Sequence, residues 1–145
     1  MNKISVNPGF PCKVIVFNIK NSLYGLKDFQ KRNHYESTRK YWEINEEHRN
    51  EDVYEFAVGL VDGDSETAYK INEWYPTREK QYIGRYEFNG SETIETKELK
   101  DFSFKKQRSL CMGHWKFGGY LVIEFDGKGK FLVLKGQQNS KWTNC

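Results

Sequence analysis

The sequence is poor in cysteine, has no long apolar run and lacks a segment typical of a secretory signal. Its three cysteines are an odd number without paired spacing, which argues against a disulfide framework and favours a reducing compartment. The first ten residues carry Asn, Ser, Pro and Gly in place of an apolar core, and no run approaches the roughly 18 apolar residues of a membrane span. We therefore expect a cytoplasmic protein without membrane contact.

Complete catalytic and metal-binding patterns are also missing. Cys111-Met-Gly-His114 has a two-residue ligand spacing, but a zinc site needs four ligands and few other candidates exist. Asp62 and Asp64 flank a glycine, so turn formation is a sufficient explanation for them. The glycines at 118–119 and 127–129 do not follow the strand, loop and helix order of phosphate-binding motifs. We predict no catalytic residue, no metal site and no cofactor.

Aromatic residues and an uneven charge distribution are what the chain does contain. Phe, Trp and Tyr make up 16% of the residues. Residues 1–75 hold 10 Lys and Arg against 12 Asp and Glu, a net charge of −2, whereas residues 76–145 hold 13 against 8, a net charge of +5. The second half would attract an anionic partner such as nucleic acid if its cations share one face, and the alternative is an ordinary solvated surface.

The apolar pattern predicts one strand, one helix and then about five strands. Residues 13–20 form a dense β-branched run, typical of a central strand that is buried on both sides. Asn33-His-Tyr-Glu36 reads as a capping box that starts a helix ending at Trp42. Residues 53–61 and 66–74, joined by an Asp and Gly turn, predict a hairpin. Residues 85–88 predict a strand that stops at the Asn89-Gly90 turn.

A second hairpin follows, from residues 118–125 through a glycine-rich turn to residues 130–134, and the region 91–108 favours a short helix or loop. We see no linker or repeat, so residues 1–145 are expected to form one domain. The order predicts an α+β fold with a curved, mostly antiparallel or mixed sheet, arranged as a partly closed barrel with one or two helices.

Five segments, in this order, carry a resemblance to a known family: residues 35–42, 54–58, 69–71 with Trp74, 85–90 and 136–142. They resemble the accessory region that follows the nuclease module in a subgroup of GIY-YIG endonucleases of bacteria and phages. More distantly, the opening strand, the helix ending in Trp and the hairpin are similar to PUA-like domains of the EVE and YTH kind. Those domains bind modified bases or nucleotides in an aromatic cage. Tyr82-Ile-Gly84 spells half of the nuclease signature, and we expect a strand containing a glycine there.

The PUA-like resemblance implies three ligand-binding residues in the first half of the chain. Trp42 would be the cage wall at the end of the helix, and its alternative role is a core anchor. Asn18 and Lys20, at the end of the first strand, would contact the polar edge of the ligand. Burial of Asn18 for structural hydrogen bonds is the alternative.

Three further candidates lie later in the chain. Trp74 is either a cage wall or a lid that packs over the sheet edge. Arg85 could contact phosphate with its two-pronged guanidinium or pair with Glu87. Asn139 has donors and an acceptor suited to a base edge, and it could equally tie the chain terminus to the sheet.

These features predict a non-catalytic domain that recognises nucleic acid or a modified nucleotide through an aromatic pocket with a basic rim. Without a nuclease module it would act as a decoy or anti-defence protein of phage type, in the cytoplasm of a bacterial or phage-infected cell. The alternative is a small inhibitor that binds a host defence or nuclease protein. A nuclease-related enzyme is the third hypothesis.

Overall fold

One mixed β-sheet forms the centre of the structure, with a helix on each face. The computed structural model describes residues 8–19, 33–61, 64–100, 120–135 and 142–144. Its strands are β1 (Pro11–Asn18), β2 (Phe56–Val61), β3 (Asp64–Pro76), β4 (Tyr86–Ser91), β5 (Leu121–Asp126), β6 (Lys130–Lys135) and the two-residue β7 (Thr143–Asn144), and its α-helices are α1 (His34–Arg39) and α2 (Ile94–Lys100). The strand order across the sheet is β4-β3-β2-β1-β5-β6-β7.

Strand β1 lies in the middle of the sheet. It pairs in parallel with β2 and antiparallel with β5, and the other strand pairs are antiparallel. Val14, Ile15, Val16 and Phe17 are at most 1% exposed. Consecutive residues of a strand point to opposite faces, so four buried neighbours require a cover on both sides of the sheet. The prediction of a central, two-sided strand is confirmed.

The two faces of the sheet have separate apolar cores. Helix α2 contributes Leu99 to the first core, which also holds Val14 and Phe56. The second core holds Ile15 and Phe17 and is covered by aromatic residues from α1 and the chain that follows it, including Tyr35 and Trp42. Trp42 and Trp74, two of the predicted site residues, pack against this second core.

Helix α1 begins as the capping box predicts. The Asn33 side chain accepts a hydrogen bond from the Glu36 backbone N–H at 2.8 Å, which satisfies one free donor of the first turn. The predicted end at Trp42 is wrong, because the helix ends at Arg39 and Lys40 has extended backbone angles. Trp42 instead forms an isolated β-bridge with Tyr86, the first residue of β4. The helix is therefore shorter than its aromatic pattern indicated.

The predicted turn at Asn89-Gly90 is wrong, since β4 continues to Ser91 and pairs with β3 along its length. Glycine is needed at position 90 for close packing. A Cβ atom there would lie 2.9 Å from Cε2 of Phe88 and 3.0 Å from Cβ of Tyr69. The expected strand at Tyr82-Ile-Gly84 is also wrong: a short 3-10 helix, Lys80–Tyr82, precedes a turn in which Gly84 has a φ of 91°.

Side chains and backbone from outside the sheet cover the outer edge of β4. Tyr86 exchanges two backbone hydrogen bonds with Trp42, each 2.9 Å long. The Nε of Arg39 donates to the Phe88 carbonyl at 2.8 Å, and the Gly90 N–H donates to the Tyr35 hydroxyl at 3.0 Å. These contacts fix α1 and the following residues against β4.

The second predicted hairpin is confirmed as β5 and β6. One carboxylate oxygen of Asp126 accepts from the backbone N–H groups of Lys128 and Lys130, at 2.7 and 3.0 Å. Gly127 and Gly129 between them have φ values of 75° and 103°, a region that favours glycine. Asp, Gly and Gly in this order thus form the turn that the sequence predicts.

An α+β fold with a mixed sheet and two helices is confirmed. Within the part of the chain that the structure describes, the sheet runs from β4 at one edge to β7 at the other and does not close into a barrel. None of the described helices is long and apolar enough to span a membrane.

We expect Gly59→Ala to lower the free energy of unfolding by about 1–3 kcal/mol, because overpacking a filled core forces its neighbours to move. A Cβ at this position would lie 2.8 Å from Ile19 Cδ1, Thr38 Oγ1 and Thr67 Oγ1. Urea unfolding followed by circular dichroism measures the change. Gly9→Ala is the matched control, since its nearest neighbour would be 3.8 Å away; equal stability of the two variants would contradict the prediction.

Candidate functional site

The structure describes four of the six predicted site residues. Asn18 is exposed at the end of β1, so it is not buried for structural reasons. Lys20 and Asn139 lie outside the described residues. Trp42, Trp74 and Arg85 are half-buried, and the two tryptophans pack against the second core.

Trp42 packs against the sheet. Its ring stacks on Phe17, with 4.1 Å between centroids and an angle of 15° between planes. Its indole N–H donates to the Thr38 carbonyl at 2.7 Å. One ring face and the only polar atom of the side chain are thus used within the fold, which supports the core-anchor alternative.

Trp74 and Arg85 lie on either side of the β3–β4 connection. Trp74 meets the edge of Phe88 with 5.0 Å between ring centroids, and within the described residues its buried indole N–H has no hydrogen-bond partner. Arg85 pairs with Glu43, with 3.6 Å between Nη2 and Oε1, and not with Glu87. Glu87 instead lies 3.6 Å from Nη2 of Arg39.

Around the Trp42–Tyr86 bridge the fold assembles three tyrosines and three cations, with Arg49 on Tyr86 on the side of the second core and Arg85 on the other side of the chain. We call this set the tyrosine–cation surface: Lys40, Tyr41, Arg49, Tyr82, Arg85 and Tyr86. The rings of Tyr41 and Tyr82 stack at 4.2 Å and 15°. Lys40 lies 5.2 Å from the Tyr41 ring, Arg85 lies 5.4 Å from the Tyr82 ring, and Arg49 lies 3.7 Å from the Tyr86 ring. Each cation is therefore placed against its own aromatic ring, a favourable arrangement for both.

Two chain segments supply this surface, and backbone contacts hold them together. The first runs from Lys40 to Arg49 and the second from Tyr82 to Tyr86, and the Trp42–Tyr86 bridge joins them. The β3–β4 connection is closed by the Thr77 N–H, which donates to the Arg85 carbonyl at 3.0 Å. The Nε of Arg49 donates to the Ile44 carbonyl at 3.3 Å, which orients the guanidinium toward Tyr86.

The counter-charges of the three cations differ. The Lys40 ammonium pairs with Glu36; burial opposes its charge, but the Glu36 carboxylate outweighs burial and raises the pKa of Lys40. Arg85 and Glu43 have side chains that are 42% and 79% exposed, so water and salt screen their attraction. No carboxylate of the described residues pairs with Arg49. Arg85 thus has an exposed ion pair for which an anion can compete.

Behind the surface, His48 and Tyr120 form a buried hydrogen-bonded pair, 2.6 Å between Nδ1 and Oη. The Asn45 N–H donates to the same hydroxyl oxygen at 3.1 Å. Lys135 lies 3.9 Å from the Tyr120 ring. Burial lowers the pKa of His48, and Lys135 lowers it further while Glu47 opposes the shift. Because His48 and Tyr120 are only 7% and 4% exposed, the pair supports the turn that carries Arg49.

A cavity of about 340 Å³ lies near the start of β1 and has the opposite charge. Its lining includes Lys13 and three carboxylates, Asp52, Glu55 and Glu124. Burial, with nearby glutamates, raises the pKa of Cys12 in this cavity to about 12, so the thiol stays protonated and unreactive. No group of three or more His, Cys, Asp or Glu side chains in the described ranges is arranged to hold a metal ion.

No protein-family model, curated protein or solved structure matches this chain. The relation to GIY-YIG accessory regions and PUA-like domains therefore stays a prediction.

The basic residues of the second half do not form one patch within the described ranges. They are divided among the β3–β4 connection, with Arg78, Lys80 and Arg85, the helix α2 and the β5–β6 hairpin. Sequence analysis did not predict Arg49, because it lies in a polar stretch without a hydrophobic pattern. It considered Tyr82 only as part of the half nuclease signature Tyr82-Ile-Gly84. A usable signal was the density of Arg, Lys, Tyr and Trp in residues 39–42 and 78–86.

We expect Trp42→Ala to destabilise the protein by about 3 kcal/mol, because it removes the stack on Phe17. Trp42→Phe keeps a ring there and loses one hydrogen bond, for a cost of about 1 kcal/mol. Urea unfolding compares the two variants with the native chain. Native stability in Trp42→Ala would show that the indole is not a core anchor.

The stability of the protein should fall as the pH drops below about 6.5, the ordinary pKa of histidine. The unfolded chain binds a proton at His48 more readily than the folded chain, so acid favours unfolding until the lowered pKa of folded His48 is passed. Unfolding free energies between about pH 5 and 8 measure this slope. His48→Gln should flatten it, whereas His34→Gln, at an exposed residue, should not; a slope unchanged by His48→Gln would contradict the prediction.

Proposed function

We propose that this protein binds nucleic acid or a nucleotide through the tyrosine–cation surface and does not itself catalyse a reaction. The observation that carries the proposal is the pairing of Lys40, Arg49 and Arg85 with three neighbouring tyrosine rings. Phosphate groups attract the cations, and bases stack on aromatic rings and on guanidinium planes, with about 1–3 kcal/mol for each stacked base. Both halves of a nucleotide thus have suitable partners among these residues.

The charges around the surface support an anionic ligand. The exposed β3–β4 connection adds Arg78 and Lys80 against Glu79. Arg49 is a candidate phosphate contact, because its guanidinium carbon lies 3.7 Å from the centre of the Tyr86 ring and no described carboxylate pairs with it. By contrast, the cavity near Cys12 has an excess of carboxylates, so it would repel phosphate.

Binding without catalysis gives the protein the role of a decoy or anti-defence factor, acting in the cytoplasm of a bacterial or phage-infected cell. A GIY-YIG accessory or PUA-like origin is consistent with an open mixed sheet flanked by two helices, although many unrelated functions share such folds. Of the described titratable groups, the His48–Tyr120 pair has the geometry closest to a catalytic dyad, and it is enclosed in the core. The enzyme hypothesis therefore ranks third.

A protein partner is the second candidate function. Ile83 is 79% exposed at the tip of the β3–β4 connection, beside Tyr82 and Arg85. Tyrosine and arginine around an exposed apolar residue also form the centres of protein interfaces. A host defence or nuclease protein would bind at this tip.

Two charge-removing variants test the proposal. We expect Arg49→Gln and Arg85→Gln each to weaken binding of a labelled single strand about 5- to 30-fold, as the loss of one phosphate contact predicts. Each should also lower the dependence of log affinity on log salt by about one unit. Fluorescence anisotropy at salt concentrations from about 50 to 200 mM measures both quantities.

Lys97→Gln is the matched control. It removes one exposed positive charge from α2, on the opposite face of the sheet, and should leave affinity nearly unchanged. Thermal unfolding of every variant separates loss of binding from loss of fold. If the native chain binds no nucleic acid or nucleotide while Ile83→Asp abolishes capture of a host protein, the protein-partner alternative replaces the proposal.

A further inference from the structure

A turn of residues 45–49 lies between α1 and β2, and two of its residues share one hydroxyl oxygen. The Asn45 N–H and Nδ1 of His48 lie 3.1 and 2.6 Å from the hydroxyl of Tyr120, the residue directly before β5. Inside the turn, the His48 and Arg49 N–H groups donate to the Asn45 and Glu46 carbonyls at 3.0 and 3.1 Å. The turn is thus attached to the start of β5 through His48 and its neighbour.

Aromatic rings enclose His48. The residue is 7% exposed, and its imidazole meets the rings of Tyr54 and Tyr120 in T-shaped contacts, with 5.1 and 5.5 Å between centroids. A neutral imidazole can accept or donate through Nδ1, whereas an imidazolium can only donate. The Tyr120 oxygen would then have two donors, and its own proton would have no acceptor among the described residues. Protonation therefore excludes the arrangement in which the hydroxyl proton is bound.

The charged groups near His48 also disfavour a proton there. Lys135, at the end of β6, lies 3.9 Å from the Tyr120 ring, and Arg49 is the next residue of the turn. Glu47 opposes these cations, with 3.7 Å between its Oε1 and Nε2 of His48, but its side chain is 73% exposed and water screens its attraction. Burial lowers the pKa of His48, Glu47 offsets this shift in part, and Lys135 adds to it. The closed turn therefore fits a neutral imidazole.

We infer that His48 is a pH-sensitive switch: when it binds a proton, the turn separates from Tyr120 and carries Arg49 off the Tyr86 ring while the sheet stays folded. In the open turn His48 is in water and has the ordinary pKa of 6.5. Each pH unit below this value, until the lowered pKa of the closed turn is reached, raises the equilibrium constant for opening by up to about tenfold. The switch does not depend on what the protein binds.

The turn can open without the sheet. Its regular part is a 3-10 helix of three residues, Glu46–His48. The chain before it is fixed by the Trp42–Tyr86 bridge, and the chain after it by the pairing of β2 with β1 and β3. Segments with few backbone hydrogen bonds open at a lower free energy than central strands. Both attachments can therefore persist while the turn is open.

Amide hydrogen exchange of the full chain, followed by NMR between about pH 5 and 8, tests the switch. Protection factors remove the intrinsic effect of pH on exchange. We expect the His48 and Arg49 amides to be at least about tenfold less protected than that of Val16, in the middle of β1. Their protection should fall by up to about tenfold for each pH unit below 6.5.

Two variants examine the contacts of the switch. His48→Gln removes the group that binds the proton and should remove the pH dependence of protection in the turn. Tyr120→Phe removes the shared hydroxyl and should lower protection of the turn about 5-fold at pH values near 8, as the loss of a hydrogen bond predicts. Tyr54→Phe is the matched control, because its ring also contacts His48 while its hydroxyl does not bind the turn.

Equal protection of the turn and of Val16 would show that the turn opens only when the whole protein unfolds, and would overturn the switch. The global pH dependence of stability would stand in that case. Turn protection that is independent of pH in the native chain, or a pH dependence that persists in His48→Gln, would also overturn it. Equal losses in Tyr120→Phe and Tyr54→Phe would contradict the role of the shared hydroxyl.

Discussion

The buried guanidinium of Arg39 is the interaction on which the rest of this architecture depends. It is 8% exposed and joins three elements: Nε binds the Phe88 carbonyl of β4, Nη1 pairs with Glu36 of α1, and Nη2 binds the Tyr75 hydroxyl of β3. The planar group offers five donors in a fixed geometry, which a lysine cannot reproduce. Without this residue, the carbonyl of the buried Phe88 would lose its charged donor, and leaving a buried acceptor unpaired costs about 1–3 kcal/mol.

Arg39 also determines where the candidate site lies. Because it fixes the end of α1 to β4, the chain leaving the helix runs beside Tyr86, forms the Trp42–Tyr86 bridge and then turns back to place Arg49 on that same ring. Glu36 binds both Arg39 and Lys40, so a single carboxylate links the core to the surface. The positions of the exposed cations therefore depend on the buried guanidinium of Arg39. This connection explains how a site can be well placed although its residues come from short and irregular segments.

Local sequence signals predicted the elements of this fold. Features that these signals did not predict depend on contacts between residues far apart in the chain. The β-branched run of β1, the Asn33 capping box and the Asp126 turn act through neighbouring atoms, so the sequence shows them directly. The end of α1 and the path of β4 depend on partners far along the chain, on Tyr86 for Trp42 and on Tyr35 for Gly90. Among the site residues, Arg85 was visible as a cation in an aromatic strand. Arg49 was not, because only the fold brings it to Tyr86.

The covered edge of β4 affects how copies of the protein associate with one another. Strands at the end of a sheet are templates on which another chain can add, a common start of aggregation. Here the outward-facing groups of Tyr86, Phe88 and Gly90 already bind Trp42, Arg39 and Tyr35, and the other described edge, β7, is only two residues long. Copies of this chain at high local concentration would therefore not fuse through these edges into a common sheet.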